Sequence, residues 1–240
     1  ITLKPDFADA YANMGNIFKD QGKLDLALDA FKQSLDINPK NEGVRVSKLN
    51  VQASICDWTG IQQDQKLIPK LGVSEQHVLP FNIMTFEDSP ERNRIRSELY
   101  AKNTFTHKPI PISSDPIKKH KRLRVGYFSS DFRIHSLAFI MANIIEAHDK
   151  NNFEIYGYSF GPNDSSNLRN KIINSCDVFR EVKEVRDKDI ALLARQDKLD
   201  IAIDLNGYTV LSRPGIFIYR AAPIQMHFFG TTNSCVSLME

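Results

Sequence analysis

The chain has 240 residues, of which 42% are hydrophobic and 25% charged, as is typical of a soluble globular protein with one large domain or two modest ones. Lys and Arg number 31 against 29 Asp and Glu, for a net charge of +2, so the charge balance predicts neither a nucleic-acid nor a membrane surface. No apolar run approaches the roughly 18 residues of a membrane-spanning helix. The three cysteines are far apart without a CxxC pair, which favours free thiols in a reducing compartment.

Residues 8–41 have the spacing of a tetratricopeptide repeat, a pair of antiparallel helices. Small residues stand where the helices approach each other, and large residues fill the space around them. The matching positions are Tyr11, Met14, Gly15, Phe18, Ala27, Phe31 and Pro39. Because one repeat cannot bury its own apolar face, we expect earlier repeats and assign residues 1–41 to the end of an array. An unrelated helical hairpin is the alternative.

Residues 42–121 form a predicted helical connector that ends in a proline-rich linker. Apolar spacing predicts helices over residues 41–69, and residues 71–88 are irregular. Ser89, Pro90 and Glu91 predict the start of a helix that runs to about residue 105. Residues 107–116 contain three closely spaced prolines and are typical of a linker. The basic run at residues 118–122 is either an anion-binding or localisation patch or, as we favour, a solvated approach to a strand.

From residue 122 onward the pattern changes to strands that alternate with helices. We expect strands at residues 123–128, 153–160, 201–207 and 223–230, with a short extra strand near residues 178–182. The helices between them are expected at residues 136–148, 165–175 and 187–197. This alternation predicts an α/β domain over residues 122–240, with a parallel sheet, right-handed crossovers and half of a doubly wound, Rossmann-like architecture.

Two polar turns follow predicted strands, residues 129–135 (the first turn) and residues 204–209 (the second turn). If the first strand lies beside the fourth, these turns face each other at the switch point of the sheet, where ligands of such folds collect. Helix N-termini there favour phosphate or developing negative charge. Asp131 and His135 are candidates for an acid–base pair or for positioning a hydroxyl nucleophile.

Each of these residues also has a purely structural interpretation. Asp131 would satisfy turn or helix-start amides, and His135 would be a helix cap or a packed polar side chain. Asn206 and Gly207 would form a turn that needs a positive φ.

Motifs of other site types are absent or weak. No GxGxxG turn follows a strand, which argues against a nucleotide-dependent oxidoreductase, and there is no Walker A or GxSxG motif. Asp187, Lys188 and Asp189 form a DxD pattern typical of some metal-dependent glycosyltransferases, yet they stand at a predicted helix start, where acids are expected anyway. The six histidines have no ligand spacing with the cysteines. We therefore predict no metal site.

Taken together, the chain resembles the nucleocytoplasmic O-linked N-acetylglucosaminyltransferases and their bacterial relatives. In that family tetratricopeptide repeats run directly into a two-lobed catalytic region. The motifs that carry the resemblance, besides the repeat, are Cys56–Thr59, Arg122–Tyr127, Ser129–Phe132, Asn206–Thr209 and Arg220–Gln225.

The resemblance implies transfer of N-acetylglucosamine, or a related hexose, from UDP to Ser or Thr of proteins, with inversion and without a metal cofactor. It implies a GT-B-type enzyme of two Rossmann-like lobes, of which this chain contains the first and lacks the second. Asp131 and His135 would be catalytic and line the sugar and acceptor side of the cleft. The implied substrate-binding residues are Ser130, Asn206, Gly207, Tyr208 and Thr209. The implied partners are the UDP-sugar and protein or peptide acceptors bound by the repeats, in the cytoplasm, with no nucleic acid or membrane.

The chain also departs from the family pattern. Arg133 and Ile134 stand where the family has a small residue and Asn, and Leu137 stands where it has a donor-contacting Thr. Residues 231–234 replace an aromatic-Pro-Gly loop, and residues 235–240 resemble nothing in the family. Because the second lobe is missing, we expect a fragment that is inactive alone; the alternative is a non-catalytic, protein-binding repeat scaffold.

Overall fold

The computed structural model describes residues 7–74, 76–111 and 121–229, and the chain divides into two compact units at the bond between Asn103 and Thr104. None of the helices in these ranges is long and apolar enough to cross a membrane. The first unit contains five helices and two short 3-10 helices within the described residues. They are α1 (Ala8–Asp20), α2 (Leu24–Ile37), α3 (Glu42–Ser54), α4 (Trp58–Asp64), 3-10 helices at Ile68–Lys70 and Pro80–Asn82, and α5 (Pro90–Thr104), whose last residue belongs to the second unit.

Helices α1 and α2 form the predicted hairpin of residues 8–41. A Cβ atom built on Gly15 would lie 2.5 Å from the ring of Phe31, so only glycine allows the ring to pack against this part of α1. The Ser34 hydroxyl on α2 donates a hydrogen bond to the Ala8 carbonyl at 2.9 Å. The small residue thus stands where the repeat spacing predicts a close approach of two helices.

A buried arginine organises the stretch that the sequence predicts as irregular. Arg96 on α5 is completely buried. Its guanidinium donates to the carbonyls of Leu71 at 2.8 Å and Ile68 at 3.1 Å, and to the Glu87 carboxylate at 2.7 Å. Because each partner lies in or beside the irregular segment, Arg96 holds that segment against α5 without regular secondary structure.

The second unit contains a five-stranded, entirely parallel sheet with strand order β3-β2-β1-β4-β5. Its strands are β1 (Leu123–Ser129), β2 (Phe153–Ser159), β3 (Val178–Glu181), β4 (Ile201–Asp204) and β5 (Ile224–His227). Its further helices are α6 (Ser136–Glu146), α7 (Asn167–Ser175), α8 (Asp187–Gln196) and α9 (Gly215–Ile218). The order is that of a Rossmann half, and it confirms the predicted fold.

Each face of the sheet has its own apolar core, because side chains alternate along a strand. Val125 and Tyr127 of β1 belong to a cluster that contains residues of α6 and α7. Phe128 belongs to a second cluster with residues of α8 and α9, where its ring stacks on Tyr158 with the ring centroids 4.3 Å apart. The polar residues that follow the strands belong to neither apolar core, and they form turns at the edge of the sheet.

The structure differs from the sequence predictions mainly at element ends. Strand β4 ends at Asp204 instead of residue 207, because the Asp204 carboxylate accepts hydrogen bonds from the next turn. The helix α9 and the two 3-10 helices were not predicted; they are three or four residues long, too short for a periodic pattern. Predictions for residues 1–6, 112–120 and 230–240 lie outside the described residues, and the domain limits at residues 41 and 121 stay predictions.

The Arg96–Glu87 pair makes the stability of the first unit depend on pH. Burial alone would raise the pKa of Glu87, but hydrogen bonds from Arg92 and Arg96 outweigh it and hold the pKa below its ordinary value. The stabilisation is therefore present above about pH 4.5, the ordinary value for the unfolded chain, and is lost as the pH falls through the folded-state pKa.

We expect Glu87→Gln to cost about 2 kcal/mol at pH 7, since the buried Arg96 loses the opposite charge of its ion pair. We also expect the substitution to flatten the acid-side loss of stability. Urea titrations followed by the fluorescence of Trp58, the only tryptophan and a residue of the first unit, measure this. The control is Glu98→Gln, whose ion pair with Arg94 is solvent-exposed and worth little. Equal effects of the two substitutions would contradict the assignment.

Close backbone contact fixes the position of the first turn. A Cβ atom built on Gly161, just beyond β2, would lie 1.8 Å from the Ser130 carbonyl oxygen. The Phe160 amide also donates to the Ser129 carbonyl at 3.1 Å. The chain after β2 therefore lies directly against the chain after β1.

We expect Gly161→Ala to lower the free energy of unfolding of the second unit by about 2 kcal/mol, since the methyl group forces two backbone segments apart. Chemical denaturation followed by circular dichroism measures the change. Gly43→Ala is the control, because a Cβ there has only one ordinary contact at 3.6 Å and a helical alanine is favourable. An unchanged stability of Gly161→Ala would show that the contact relaxes freely.

Candidate functional site

The two polar turns meet because their strands are neighbours. Strand β1 pairs with β4 in parallel, with Phe128 opposite Asp204. The two strands therefore end at the same edge of the sheet, and their continuations lie side by side. This is the arrangement under which the sequence predicts that the two turns face each other at the switch point.

The side chain of Asn206 joins the two turns. Its Oδ1 accepts a hydrogen bond from the Ser130 amide at 2.9 Å. Its Nδ2 donates to the Ser130 hydroxyl at 2.9 Å and to Asp131 Oδ2 at 2.7 Å. Since Asn206 is 1% exposed, these bonds form away from solvent, where a lost partner is costly. Asn206 therefore fixes the spacing between the first and second turns.

The second turn is shaped by Asp204 at the end of β4. The Asp204 carboxylate accepts hydrogen bonds from the amides of Asn206 and Gly207, both at 3.0 Å. Gly207 has φ of +62°, a conformation that glycine adopts without strain. The Thr209 hydroxyl donates to the Asn206 carbonyl at 3.0 Å. The structural interpretation of Asn206 and Gly207 as a turn is thus correct, and Asn206 has a second role across the turns.

Asp131 is a buried carboxylate with partners on both oxygens. It is 6% exposed. Asp131 Oδ2 accepts the Asn206 hydrogen bond, and Asp131 Oδ1 lies 3.2 Å from the Arg133 guanidinium. Its amide donates to the Ser129 hydroxyl at 2.9 Å. The charge of Asp131 is therefore balanced locally by Arg133, one of the residues that departs from the family pattern.

His135 lies at the start of α6 and is more accessible than Asp131. Its Nδ1 accepts a hydrogen bond from the Leu137 amide at 3.3 Å, so the imidazole is the N-cap of the helix. The same Nδ1 is 3.9 Å from Asp131 Oδ2, and 38% of the side chain is exposed. A neutral imidazole that accepts at Nδ1 carries its proton on Nε2. The predicted cap is present, and the predicted acid–base partners are neighbours.

The structure brings all seven predicted site residues together at one sheet edge, though with unequal access. Ser130, Asn206 and Tyr208 are at most 1% exposed, whereas Thr209 and His135 are partly or well exposed. The buried residues hold the two turns together, and Thr209 and His135 are accessible to solvent. The catalytic and binding roles of all seven stay predictions.

A third segment at this edge, residues 160–166 after β2 (the third loop), was missed from the sequence. Asp164 Oδ2 accepts a hydrogen bond from the Ile134 amide at 2.6 Å. This bond leads the causes that hold the pKa of the exposed Asp164 below its ordinary value. An Asp two residues before a helix-capping Ser is a common turn residue, so the sequence alone gives no sign that it binds another turn.

The two carboxylates of the DxD pattern each form an ion pair with an arginine. Asp187 Oδ1 lies 2.6 Å from the Arg213 guanidinium, and Asp189 Oδ2 lies 2.7 Å from that of Arg186. Among the described residues, no group of three or more His, Cys, Asp or Glu side chains could hold a metal ion. The donor chemistry around Asp187 and Asp189 does not fit a divalent cation.

Comparison with known proteins gives concordant matches. The model of the family described as "Glycosyl transferase family 41" matches residues 94–240, and that of "Tetratricopeptide repeat" matches residues 8–41. The probable UDP-N-acetylglucosamine–peptide N-acetylglucosaminyltransferase SEC of Arabidopsis thaliana is 38% identical over 129 residues, 52% of this chain and 13% of that protein. The corresponding Caenorhabditis elegans enzyme is 36% identical over 115 residues, 48% of this chain and 10% of that protein.

A solved structure supports the fold. A mutant of the Thermobaculum terrenum O-GlcNAc transferase superposes with a TM-score of 0.63 at 23% identity, covering 96% of this chain and 45% of that chain. The sequence matches span only 13% and 10% of the two curated relatives, so most of each relative has no counterpart in the matched segment.

We expect Asn206→Ala to lower the free energy of unfolding by about 3 kcal/mol, because it leaves buried groups of both turns without partners. Thermal and urea unfolding of the second unit measure this. Asn143→Ala on α6 is the control, since Asn143 is exposed and alanine is the better helix former. If both substitutions cost less than about 0.5 kcal/mol, the range of ordinary surface changes, the bridge between the turns contributes little.

Proposed function

This chain belongs to glycosyl transferase family 41, and we propose that it forms the repeat end and the first catalytic lobe of a protein O-glycosyltransferase. The reaction would transfer N-acetylglucosamine, or a related hexose, from UDP to Ser or Thr hydroxyls. The observation that carries the proposal is the joining of the two turns by Asn206 at the switch point of the sheet, in a segment that matches the family. The names of the curated relatives support the choice of donor and acceptor.

The chemistry of the transfer assigns different tasks to the residues at this edge. An acceptor hydroxyl that attacks the sugar must lose a proton, and a group at or near the cleft has to receive or relay it. His135 is an accessible imidazole at this edge, and the Leu137 amide at the start of α6 fixes its ring. Asp131, paired with Arg133 and Asn206, would act as a fixed carboxylate that orients polar groups of the sugar or acceptor. Thr209 would contact the substrates, and the buried Ser130, Gly207 and Tyr208 would support the surface on which the substrates lie.

We propose that the UDP-sugar is a substrate and that the reaction uses no metal cofactor. In support, the carboxylates of the DxD pattern already have arginine partners. A diphosphate leaving group still requires compensation of its charge, which the N-terminal end of α6 is suited to supply in part. The remainder would come from a second lobe of the kind expected from the family.

Protein or peptide acceptors are the proposed partners, bound through the tetratricopeptide repeat of residues 8–41. No role for nucleic acid or membrane is proposed. A cytoplasmic location is supported by Cys56 and Cys176, which are free thiols, as expected in a reducing compartment.

One observation favours a second candidate, a non-catalytic protein-binding scaffold. Both oxygens of Asp131 are engaged, one of them by Arg133, and Nδ1 of His135 is used by the helix cap. A site whose polar groups satisfy one another can serve stability alone. The two candidates differ in whether His135 matters beyond its capping bond.

Substitution of His135 separates these candidates in the full natural gene product. His135→Asn keeps a capping side chain and removes the imidazole, whereas His135→Ala removes both. For a transferase we expect each substitution to reduce UDP release with a Ser/Thr peptide and UDP-N-acetylglucosamine by about 100-fold. We expect only His135→Ala to lose about 1 kcal/mol of stability. Asp131→Asn, which keeps an oxygen for Asn206, should also reduce turnover.

Asn143→Ala serves as the activity control, because Asn143 lies on the exposed face of α6. A wild-type protein without UDP release would support the scaffold. Full turnover of His135→Asn would show that the imidazole has no part in the transfer.

A further inference from the structure

Arg169 is a buried cation placed directly behind the first turn. It lies in the first turns of α7 and is 1% exposed. A buried arginine is strongly unfavourable unless its donors have partners. Apolar side chains of α7, among them Ile172, already pack against the sheet. Packing of α7 on the sheet therefore does not require an arginine at position 169.

The partners of Arg169 come from three different elements. Its guanidinium donates to the Phe132 carbonyl of the first turn and to the Ser159 hydroxyl at the end of β2, the latter at 3.2 Å. It also forms an ion pair with Glu181 at the end of β3. Half of the Glu181 side chain is exposed. The carboxylate that balances the buried charge of Arg169 therefore lies at the protein surface.

Phe132 is consequently held at both its backbone and its side chain. Its ring is fully buried and lies 5.9 Å from the ring of Phe179 on β3. The Arg169 guanidinium lies 5.4 Å from the same Phe179 ring. A rotation of the peptide between Phe132 and Arg133 would therefore break the bond to Arg169, while the ring keeps the residue in place.

Arg169 and Asp164 together hold the turn on either side of Arg133. Arg169 binds the Phe132 carbonyl, and Asp164 binds the Ile134 amide. Asp164 is exposed and precedes α7, while Arg169 is buried within α7. Between them they fix two of the four peptides that connect Asp131 to His135, the two on either side of Arg133.

We propose that Arg169 is a positioning residue, which sets the distance between Asp131 and His135 by holding the Phe132 carbonyl. The part of this inference that concerns catalysis rests on the proposed transferase function. Arg169 lies behind the turn and makes no contact with the accessible side of His135. Its loss should therefore lower kcat and leave the KM for the UDP-sugar nearly unchanged.

Amide hydrogen exchange on the full natural gene product tests the positioning role independently of catalysis. The amides of Ser130, Asp131, Arg133 and Ile134 all donate hydrogen bonds, so their protection is measurable. We expect Arg169→Met to speed their exchange at least tenfold and to leave β4 and α8 unchanged. The matched control is Arg213→Met, since Arg213 similarly binds backbone carbonyls, among them that of Val182, and a carboxylate, that of Asp187, away from the first turn.

Arg169→Lys is the second variant, for use if the methionine variant does not fold. Lysine keeps the charge beside Glu181 but lacks the planar fork that reaches several acceptors at once. We expect a smaller change of the same local pattern and a kcat between those of wild type and Arg169→Met. Exchange that rises throughout the second unit, exchange that does not change, or failure of both variants to fold would overturn the positioning role.

The outcomes also distinguish this inference from the proposed function. A wild-type protein without transferase activity, combined with faster exchange confined to the turn in Arg169→Met, would reject the transferase and retain the positioning role. An active wild type whose kcat is unaffected by Arg169→Met would retain the transferase and overturn the positioning role.

Discussion

The parallel pairing of β1 with β4 is the constraint on which the site depends. β1 lies at the centre of the sheet, with β2 on one side and β4 on the other. From β1 the chain continues to β2 and β3 on one side, and then returns to β4 and β5 on the other side. The crossovers after β1 and β4 therefore lead away from each other, which leaves a crevice between the two strand ends. The polar residues at the strand ends are thereby placed side by side, and the apolar residues on both faces hold them there.

Polar contacts at this edge leave little freedom to the residues that matter for the proposed chemistry. Asn206 links the second turn to the first by hydrogen bonds. Gly161 allows the third loop to lie against the Ser130 carbonyl, and Asp164 accepts a hydrogen bond from the Ile134 amide. Arg133 adds a charge partner to Asp131 that differs from the small residue of the family pattern. The first and second turns are therefore held in one geometry, and Arg133 contributes to the electrostatic environment of Asp131.

Short-range patterns in the sequence predict most of the fold. Alternating apolar runs locate the five strands, and the spacing of Gly15 and Phe31 predicts the helical hairpin. The pattern cannot locate contacts between residues far apart in the chain. Arg96 and Arg169 each look like solvated residues of a polar helix, because burial of an arginine depends on carbonyls and carboxylates supplied by other segments.

The candidate site was predicted in part for the same reason. Asp131 and His135 follow a strand in a recognisable motif, and the structure places them near each other; their roles stay predictions. The third loop was missed because Asp164 has an ordinary local explanation as a turn residue. The exact end of β4 was also missed, since the apolar Leu205 continues the strand pattern while the Asp204 carboxylate has already turned the backbone.

The bridge made by Asn206 has a consequence for the order in which the molecule assembles. Asn206 and Ser130 are 76 residues apart in the chain, so their hydrogen bonds close a long loop and are entropically costly until β1 and β4 have paired. Local strand–helix–strand units such as β1, α6 and β2 require no such closure. The edge of the sheet that carries the site is thus among the last regions to reach its final geometry.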